Sequence, residues 1–419
     1  MAKNCGGRTA DERLLERSSA MSLPTCVLVT DGDERAALAV TRALGARGIE
    51  VIVGAEQKRS LAAASKYCAK SFAYPSPYRD PQAFVDCLLG AITSRKVDAL
   101  FPISDIAMHV IGPRKGDFER HTHMPIPDYK IFEETSDKYR LMKSALQLNV
   151  AIPDTIFVSG GDIRGISDRI TSFPVVIKPG CSLIRTETGW QKTSVHYAKN
   201  ADEVRNLYRQ HEYLRRPSLI QQRVLGEGQG IFALMNDGKP LALFAHRRIR
   251  EKPPSGGVSV LRESIPLDKS LVEPALRLLQ HVRWHGVAMV EFKIDHDSKV
   301  PVLMEINGRF WGSLQLSIDA GMNFPWLLFQ MAAGRIASLP ENGYQSGIKS
   351  RWLLGDLDHL LMRLRKPEAS LNLPPGAPSK WQCLKDFAKF VDRDMFYELE
   401  KPDDIRPFLY ELRQYAKLN

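Results

Sequence analysis

The 419-residue chain has few cysteines for its length, and their spacing is uninformative as a metal or disulfide pattern. Cys5, Cys26, Cys68, Cys87, Cys181 and Cys383 form no Cys-x-x-Cys pair. That excludes a zinc ribbon, and six thiols in so long a chain do not make a disulfide scaffold. Reduced thiols in a cytoplasmic protein are expected. No apolar run reaches the roughly 18 residues that a membrane helix requires. Stretches such as Val27–Val29 and Val287–Val290 have strand length instead. There is no Gly-x-x-x-x-Gly-Lys-Ser/Thr loop, no Gly-x-Ser-x-Gly elbow and no His-Glu-x-x-His, so a P-loop, a serine hydrolase and a zincin are not indicated. His281 and His285 have helical i,i+4 spacing without the glutamate and read as a helix face. His121 and His123 lack accompanying acids or cysteines. No internal repeat or low-complexity tract occurs.

What is present is ordinary globular composition, 44% hydrophobic and 25% charged, with a net charge of +10 and pI near 9.2. The basic residues are interleaved with acids and form no block of five. Such a balance favours a phosphate-bearing small ligand over nucleic acid or a membrane surface. Residues 1–22 have no apolar periodicity and no signal-peptide core, and read as a disordered leader. Met21 is a second candidate start.

The length implies two or three domains. From Cys26 the pattern is strand, helix, strand. Cys26–Thr30 is β-branched, Asp33–Arg47 has helical apolar spacing, and Ile49–Gly54 is the next strand. Pro81–Ser94 reads as an amphipathic helix and Asp98–Ile103 as a short buried strand. Alternating β and α predicts a parallel sheet with helices on its faces. The first turn, Thr30-Asp31-Gly32-Asp33-Glu34-Arg35, lacks Gly-x-Gly-x-x-Gly, and its acids would repel a pyrophosphate.

Pro-containing turns over 124–137 suggest a linker. Beyond it the chain changes to α+β. Helices are expected at about 137–148, 161–172 and 201–216. Strands are expected at Pro174–Lys178, Thr193–Tyr197, Leu219–Val224, Gly230–Asn236 and Leu241–Arg248, with Asn236-Asp237-Gly238-Lys239 as a hairpin turn. The expected organisation is an α/β domain over 23–130, a second domain over 131–340 and a helical extension over 341–419.

The chemistry concentrates in another hairpin. Val290-Glu291-Phe292-Lys293-Ile294 and Leu303-Met304-Glu305-Ile306-Asn307-Gly308-Arg309 flank the turn 295–299. Two-residue periodicity puts Glu305 and Asn307 on one face, with Glu291 able to lie opposite. Two carboxylates and an amide oxygen on rigid strands suit Mg²⁺. Arg309 would share that face and meet an anion held there. A solvent-facing polar strand is the alternative, but the flanking Met289, Val290, Phe292, Leu303, Met304 and Ile306 are apolar. Lys178 ends the strand Val175-Val176-Ile177 and is either a phosphate contact or a strand-end lysine with its head in water. Lys138, at a helix start after Ser136-Asp137, is a weaker version of the same idea. His246–Ser259 carries Arg247, Arg248, Arg250 and Lys252, then Gly256-Gly257. Arg247 and Arg250 are candidates to hold a carboxylate or a transferring phosphate, unless the segment is a solvated loop.

Taken in order, Lys138, Val-Val-Ile-Lys178-Pro, Ile-Gln-Gln-Arg-Val followed by Gly-Glu-Gly, Val-Glu291-Phe and Met-Glu305-Ile-Asn307-Gly-Arg309 resemble the ATP-grasp superfamily over about residues 25–335. The resemblance is to carboxylate–amine ligases related to the carbamoyl-phosphate synthase large subunit and biotin carboxylase. It implies an N-terminal parallel-sheet α/β domain followed by an α+β ATP-grasp fold. It also implies ATP with Mg²⁺, or Mn²⁺ in its place, on Glu291, Glu305 and Asn307. Lys138 and Lys178 would contact the phosphates. Gln221, Gln222 and Val224 would lie on the adenine-hinge strand, and Glu227 would be the ribose or hinge acid. One departure is the segment 180–194, where the family has a glycine-rich loop. Here it has two glycines, several hydroxyls, Arg185 and Lys192.

The function expected is ADP-forming ligation. A small-molecule carboxylate is phosphorylated to an acylphosphate, which an amine converts to an amide, with Arg309, Arg250 and Arg247 on the transferring group. A thiol or ammonia acceptor, or a non-catalytic nucleotide-binding regulator, are the alternatives. Residues 341–419 would cap the site or mediate a homodimer.

Overall fold

The structure is a computed structural model that describes residues 25–335, 339, 343–374 and 376–418. The expected leader at 1–22 lies outside the described residues.

Strands β1 (Cys26–Val29), β2 (Glu50–Ala55), β3 (Lys70–Ala73) and β4 (Ala99–Phe101) form a parallel sheet in the order β3-β2-β1-β4. Val27, Leu28 and Val29 are fully buried on both faces, which is why β1 reads as a continuous apolar run rather than an alternating one. The helices Arg35–Gly45 and Pro81–Arg95 belong to this layer. Edge strand β3, Lys-Ser-Phe-Ala, is half exposed and was not expected from the sequence. At the end of β4, Ser104 caps the helix Asp105–Ile111 by accepting from Ala107 N at 3.2 Å. That cap fixes Asp105 at the carboxyl edge of the sheet, where ligands of open α/β sheets bind.

A second sheet has the order β5-β10-β6-β9. It comprises β5 (Thr155–Val158), β6 (Val175–Pro179), β9 (His196–Ala198) and β10 (Ser218–Gln222). Between β6 and β9 stands a separate hairpin, β7 (Leu183–Thr186) and β8 (Gly189–Lys192). The helix expected at 161–172 is a single 3-10 turn, Ile166–Arg169. Gly161 and Gly165 there take positive φ of 73° and 66°, which interrupts a helix. The helix expected to reach 216 ends at Gln210 and is followed by a 3-10 turn.

The third sheet has seven strands in the order β15-β14-β11-β12-β13-β16-β17. They are β11 (Gly226–Asn236), β12 (Lys239–Lys252), β13 (Val258–Ile265), β14 (Gly286–Asp295), β15 (Pro301–Asn307), β16 (Lys349–Arg351) and β17 (Met395–Tyr397). Asp237 and Gly238, with φ of 47° and 86°, make the tight turn expected between β11 and β12. The C-terminal segment is not purely helical, because β16 and β17 extend this sheet across the expected boundary at 340. Arg42, from the first layer, fastens the segment. Its guanidinium donates to Asp404 Oδ2 (2.8 Å), Glu398 O (2.8 Å), Leu399 O (3.1 Å) and Asp404 O (2.7 Å). Four donors of one guanidinium, three of them on backbone carbonyls, clamp the tail to the first layer.

Candidate active site

A cleft of about 690 Å³ lies where the three sheets meet. Its size falls within the range of small-ligand sites. Its floor is a registered row across the third sheet. Glu305 on β15 is opposite Glu291 on β14, Glu291 opposite Gly230 on β11, and Gly230 opposite His246 on β12. Side chains on one face of neighbouring strands align in this way, about 5 Å apart per strand. Thus the expected pairing of Glu291 with Glu305 and Asn307 is present in the structure.

The two acids are bridged by an amide. Asn307 donates from Nδ2 to Glu291 Oε1 at 3.0 Å and to Glu305 Oε1 at 3.3 Å. Cations surround the group. Lys138 Nζ lies 3.2 Å from Glu305 Oε2 and donates to Ser182 Oγ at 2.8 Å. Arg248 Nη2 pairs with Glu291 Oε2, and Arg248 Nη1 with Glu251 Oε1 at 3.0 Å. Arg309 Nη2 donates to Asp105 Oδ2 at 2.8 Å and to Asn307 Oδ1 at 3.3 Å. Burial raises the Glu291 carboxyl despite Arg248, and the neighbouring Glu305 adds to the rise. Burial opposes ionisation of Glu305 too, but Lys138 and Lys178 outweigh it and hold that carboxyl low. Lys178 is pushed down to about 8 by burial, partly offset by Glu305.

The other end of the cleft is built on β6 and β10. Val176 is opposite Gln221 and Lys178 opposite Leu219, so Val176, Lys178 and Gln221 share the face that lines the cleft. Gln221 donates from Nε2 to Thr155 Oγ1 at 3.0 Å, while its Oε1 is buried with no partner. Gln222 and Val224 line the same end, and Lys293 donates to Val224 O at 3.3 Å. The hairpin β7–β8 leans over the opening. Trp190 N donates to Tyr78 O at 2.9 Å, and Ser182, Lys192 and Thr193 line the cleft beneath it.

Three expected site residues are not in this cleft. Arg247 faces the opposite side of β12, where it pairs with Glu263 at 2.6 Å and Glu227 at 3.6 Å. Glu227 is on that same outer side and accepts from Gln229 Nε2 at 2.8 Å. Two-residue alternation is the cause, because Gly228 and Gly230 occupy the inner positions. Arg250 follows a register shift in β12 and points to the helix Leu353–Arg365, where Nε donates to Asp356 Oδ1 at 2.7 Å. It anchors the C-terminal segment.

The sequence reading missed Arg248, Asp105 and Ser182. Arg248 is the informative case. A Cβ on Gly228 would sit 3.0 Å from Arg248 Cδ. The bare glycine backbone of β11 is therefore what lets Arg248 on β12 cross to Glu291 on β14. The Gly-Glu-Gly-Gln-Gly spacing over 226–230 was the available signal.

The family described as "ATP-grasp in the biosynthetic pathway with Ter operon" matches residues 226–353, which hold β11–β16 and both acids. The solved structures that resemble the chain cover most of it. They include an L-amino acid ligase from Bacillus licheniformis (TM-score 0.59, 14% identity, 74% of this chain and 75% of that one). The biotin carboxylase domain of Hydrogenobacter thermophilus 2-oxoglutarate carboxylase, in complex with MgADP and bicarbonate, gives a TM-score of 0.60 at 13% identity, over 78% and 74%. N5-carboxyaminoimidazole ribonucleotide synthetase from Thermotoga maritima gives 0.54 at 15%, over 78% and 79%. Residues 226–353 thus match an ATP-grasp family model, and the likeness to these solved structures shows a shared fold.

No curated protein matches it in sequence at a significant level. The chain has the expected parallel sheet ahead of the antiparallel sheets that form the cleft. Among the described residues, no group of three or more His, Cys, Asp and Glu side chains converges on a metal position, and no helix is long and apolar enough to cross a membrane. The donor set at Glu291, Glu305 and Asn307 is two carboxylates and an amide. That fits Mg²⁺, which takes one or two protein carboxylates and completes its shell with water and substrate phosphates. The amide nitrogen faces the carboxylates here, so metal ligation by Asn307 would require the amide to turn its oxygen inward.

Proposed function

We propose that this protein is an ADP-forming ATP-grasp ligase that activates a small carboxylic acid as an acylphosphate and joins it to an amine. The observation that carries the reading is the pair Glu291 and Glu305, bridged by Asn307 and ringed by Lys138, Lys178, Arg248 and Arg309 in one cleft. A binding-only regulator needs no such concentration of paired acids and cations. Mg²⁺ held by Glu291, Glu305 and Asn307, or Mn²⁺ in its place, would neutralise charge on the β- and γ-phosphates of ATP.

The chain's own residues account for the rest. Gln221 Oε1, an unpartnered acceptor, suits an exocyclic amine of adenine, with Gln222 and Val224 beside it. Lys138 and Lys178 orient the phosphates, and phosphate contact favours the charged form of Lys178 that burial disfavours. Arg309 is held by Asp105 and presents a planar fork to the carboxylate and then to the transferring phosphoryl. Arg248 supplies the second guanidinium that Arg247 and Arg250 were expected to provide. Both anions are thereby held in line, which is where most of the rate advantage of phosphoryl transfer arises. Hairpin β7–β8 covers the phosphates with hydroxyls and Lys192 in place of a glycine-rich loop. No covalent enzyme intermediate is needed. A cytoplasmic enzyme acting on small molecules, without nucleic acid or membrane, fits this chemistry.

The test is a screen for ADP release over carboxylic acids with ATP and Mg²⁺, using hydroxylamine in place of the amine. Hydroxamate formation with ADP and phosphate is the expected result. AMP and pyrophosphate would show adenylation and overturn the reading.

A further inference from the structure

The acidic turn Thr30-Asp31-Gly32-Asp33-Glu34-Arg35 takes no part in the nucleotide chemistry, yet it stands at the cleft. It is fixed on both sides of Glu34. Glu34 N donates to Asp31 O at 2.8 Å, and Asp31 Oδ2 accepts from Ser104 N at 3.1 Å. The next residue, Asp105, accepts from Arg309 Nη2 at 2.8 Å. On the other side the Arg35 guanidinium pairs with Glu398 and lies 3.9 Å from the centroid of the Trp352 ring. Its Nη2 would be 3.2 Å from a Cβ on Gly312. The turn is thereby held between Asp105 and Gly312, both of which line the cleft with Arg309.

The three acids of this turn have different surroundings. Asp31 also accepts from Thr30 Oγ1 at 2.5 Å, and Asp33 accepts from Leu61 N at 3.3 Å and Tyr410 Oη at 3.4 Å. Both therefore tie the scaffold together. Glu34 caps no helix N–H, has no hydrogen bond or ion pair among the described residues, and is open to the cleft. The described lining of the cleft holds five carboxylates against eight lysines and arginines. Four of those carboxylates are paired: Asp105 with Arg309, Glu251 and Glu291 with Arg248, and Glu305 with Lys138. Glu34 is the fifth. Arg309 is the strongest cation acting on it, ahead of Arg35 and Lys192, and Glu34 acts on Arg309 in return. Arg309 and Arg35 are already held by other carboxylates, so neither neutralises it.

A cleft so rich in cations attracts carboxylates and phosphates but repels an ammonium ion, which is the form of an aliphatic primary amine at neutral pH. We infer that Glu34 is the catalytic residue of the amine subsite: its carboxylate binds the ammonium group of an aliphatic primary amine near Arg309 and takes up its proton. The inference rests on the ligase reading for the acylphosphate and on the free carboxylate for the acceptor. The ammonium group gives one proton to Glu34. The freed lone pair forms the C–N bond to the acyl carbon as the C–O bond to the phosphoryl group breaks. The departing phosphate keeps that electron pair and takes the second proton from nitrogen, and Glu34 releases its own to the open cleft. Protein around the Glu34 carboxyl withholds water from it even though the residue is open to the cleft. That burial, reinforced by Asp31, raises the carboxyl above its ordinary range despite Arg309, Arg35 and Lys192, which strengthens it as a base.

The experiment uses the full chain with ATP, Mg²⁺ and the acid that gives the most hydroxamate in the screen. Methylamine, ethanolamine, alanine and lysine are the ammonium-forming acceptors, and hydroxylamine is the acceptor already neutral at the assay pH. Amide and hydroxamate are measured for wild type, Glu34→Gln, Glu34→Asp and Asp33→Asn. Glu34→Gln should lower the ratio of amide to hydroxamate about 100-fold. Glu34→Asp should restore part of it, and Asp33→Asn should leave the ratio as it is. The pH profile gives a second readout. In wild type, kcat/KM for total amine should be level between about pH 7 and 9, because the carboxylate accepts the proton that the ammonium must lose. In Glu34→Gln it should climb about tenfold per pH unit with the fraction of free amine. Where that variant makes too little amide to follow, Glu34→Asp supplies the profile. A scaffold role for Glu34 would lower both products together and leave the profile level. That result overturns the inference, as does an equal fall of the ratio in Asp33→Asn. Hydroxamate in wild type with no amide from any of the four amines also overturns it. Absence of hydroxamate with every acid would remove the ligase reading itself, and the role of Glu34 with it.

Discussion

Replacing Glu305 with Gln separates stability from function at this site. Glu305 Oε2 is 3.2 Å from Lys138 Nζ, and its side chain keeps 31% exposure on the cleft side. Removing one partner from a fully buried ion pair costs about 3–5 kcal/mol because the other charge is stranded. Two features reduce that figure here. Gln keeps an oxygen for Lys138, and the partial exposure lets water screen the lysine. The change also removes the repulsion between Glu305 and Glu291. A net loss of about 1 kcal/mol is expected, a shift of a few degrees in Tm. Turnover should fall much further. Loss of one preorganised electrostatic contact costs about 10²–10³ in rate, or about 3–4 kcal/mol, and a metal ligand can cost more. The assay is ADP release against Mg²⁺ concentration, with Mn²⁺ binding followed by electron paramagnetic resonance and melting followed by calorimetry. Wild-type kcat with an unchanged Mg²⁺ dependence would refute the assignment of Glu305. A loss of activity that only tracks unfolding would refute the argument about its exposure.

Other consequences are independent of that one. Lys178 is pushed down to about 8 by burial, and phosphate favours its charged form, so ATP binding should take up a proton near and above pH 8. Calorimetry in buffers of different ionisation enthalpy should show that uptake, and Lys178→Met should abolish it. Asp356 is 1% exposed and pairs with both Arg250 and Arg351 at 2.6–2.7 Å. Asp356→Ala should cost about 3–5 kcal/mol in chemical denaturation, and a loss below 1 kcal/mol would contradict its role as the anchor of the C-terminal segment. Gly228→Val should impair turnover at least tenfold with little loss of ATP affinity, because the branched side chain obstructs the path of Arg248 over β11. Equal activity in that variant would show that the crossing is not required.

How much of this was legible in the sequence depended on distance along the chain. The hairpin carrying Glu291, Glu305 and Asn307 was readable because acids and amide recur at two-residue spacing between apolar neighbours. The strand–helix alternation over 26–103 was readable for the same local reason. Strand β3 was not, since Lys-Ser-Phe-Ala lies at an exposed edge and has no apolar period. The faces of β12 were also hidden. Arg247, Arg248 and Arg250 are equivalent as a basic run, and only the register with β11 and the shift before Arg250 send one inward and two elsewhere. Strand β16 exists because β13 offers it an edge, and β17 because β16 offers the next, which no propensity of Lys-Ser-Arg or Met-Phe-Tyr announces.

The glycines of β11 connect these observations. Gly in a strand interior weakens it and commonly marks close approach by another group. Here the approaching groups are Arg248 over Gly228 and His246 over Gly230, one aimed at the acids and one left unpartnered. Three of the four cations at the acid pair have a protein carboxylate as partner: Arg248 with Glu291, Lys138 with Glu305, Arg309 with Asp105. Phosphate oxygens in the cleft would compete for those same donors, and the carboxylates at Glu291 and Glu305 would then need cationic compensation from elsewhere. Nucleotide and divalent cation should therefore bind with positive coupling, each relieving the charge that the other exposes. The sheet supplies this exchange without backbone movement, because the acids, the glycines and the imidazole are held in one register across four strands.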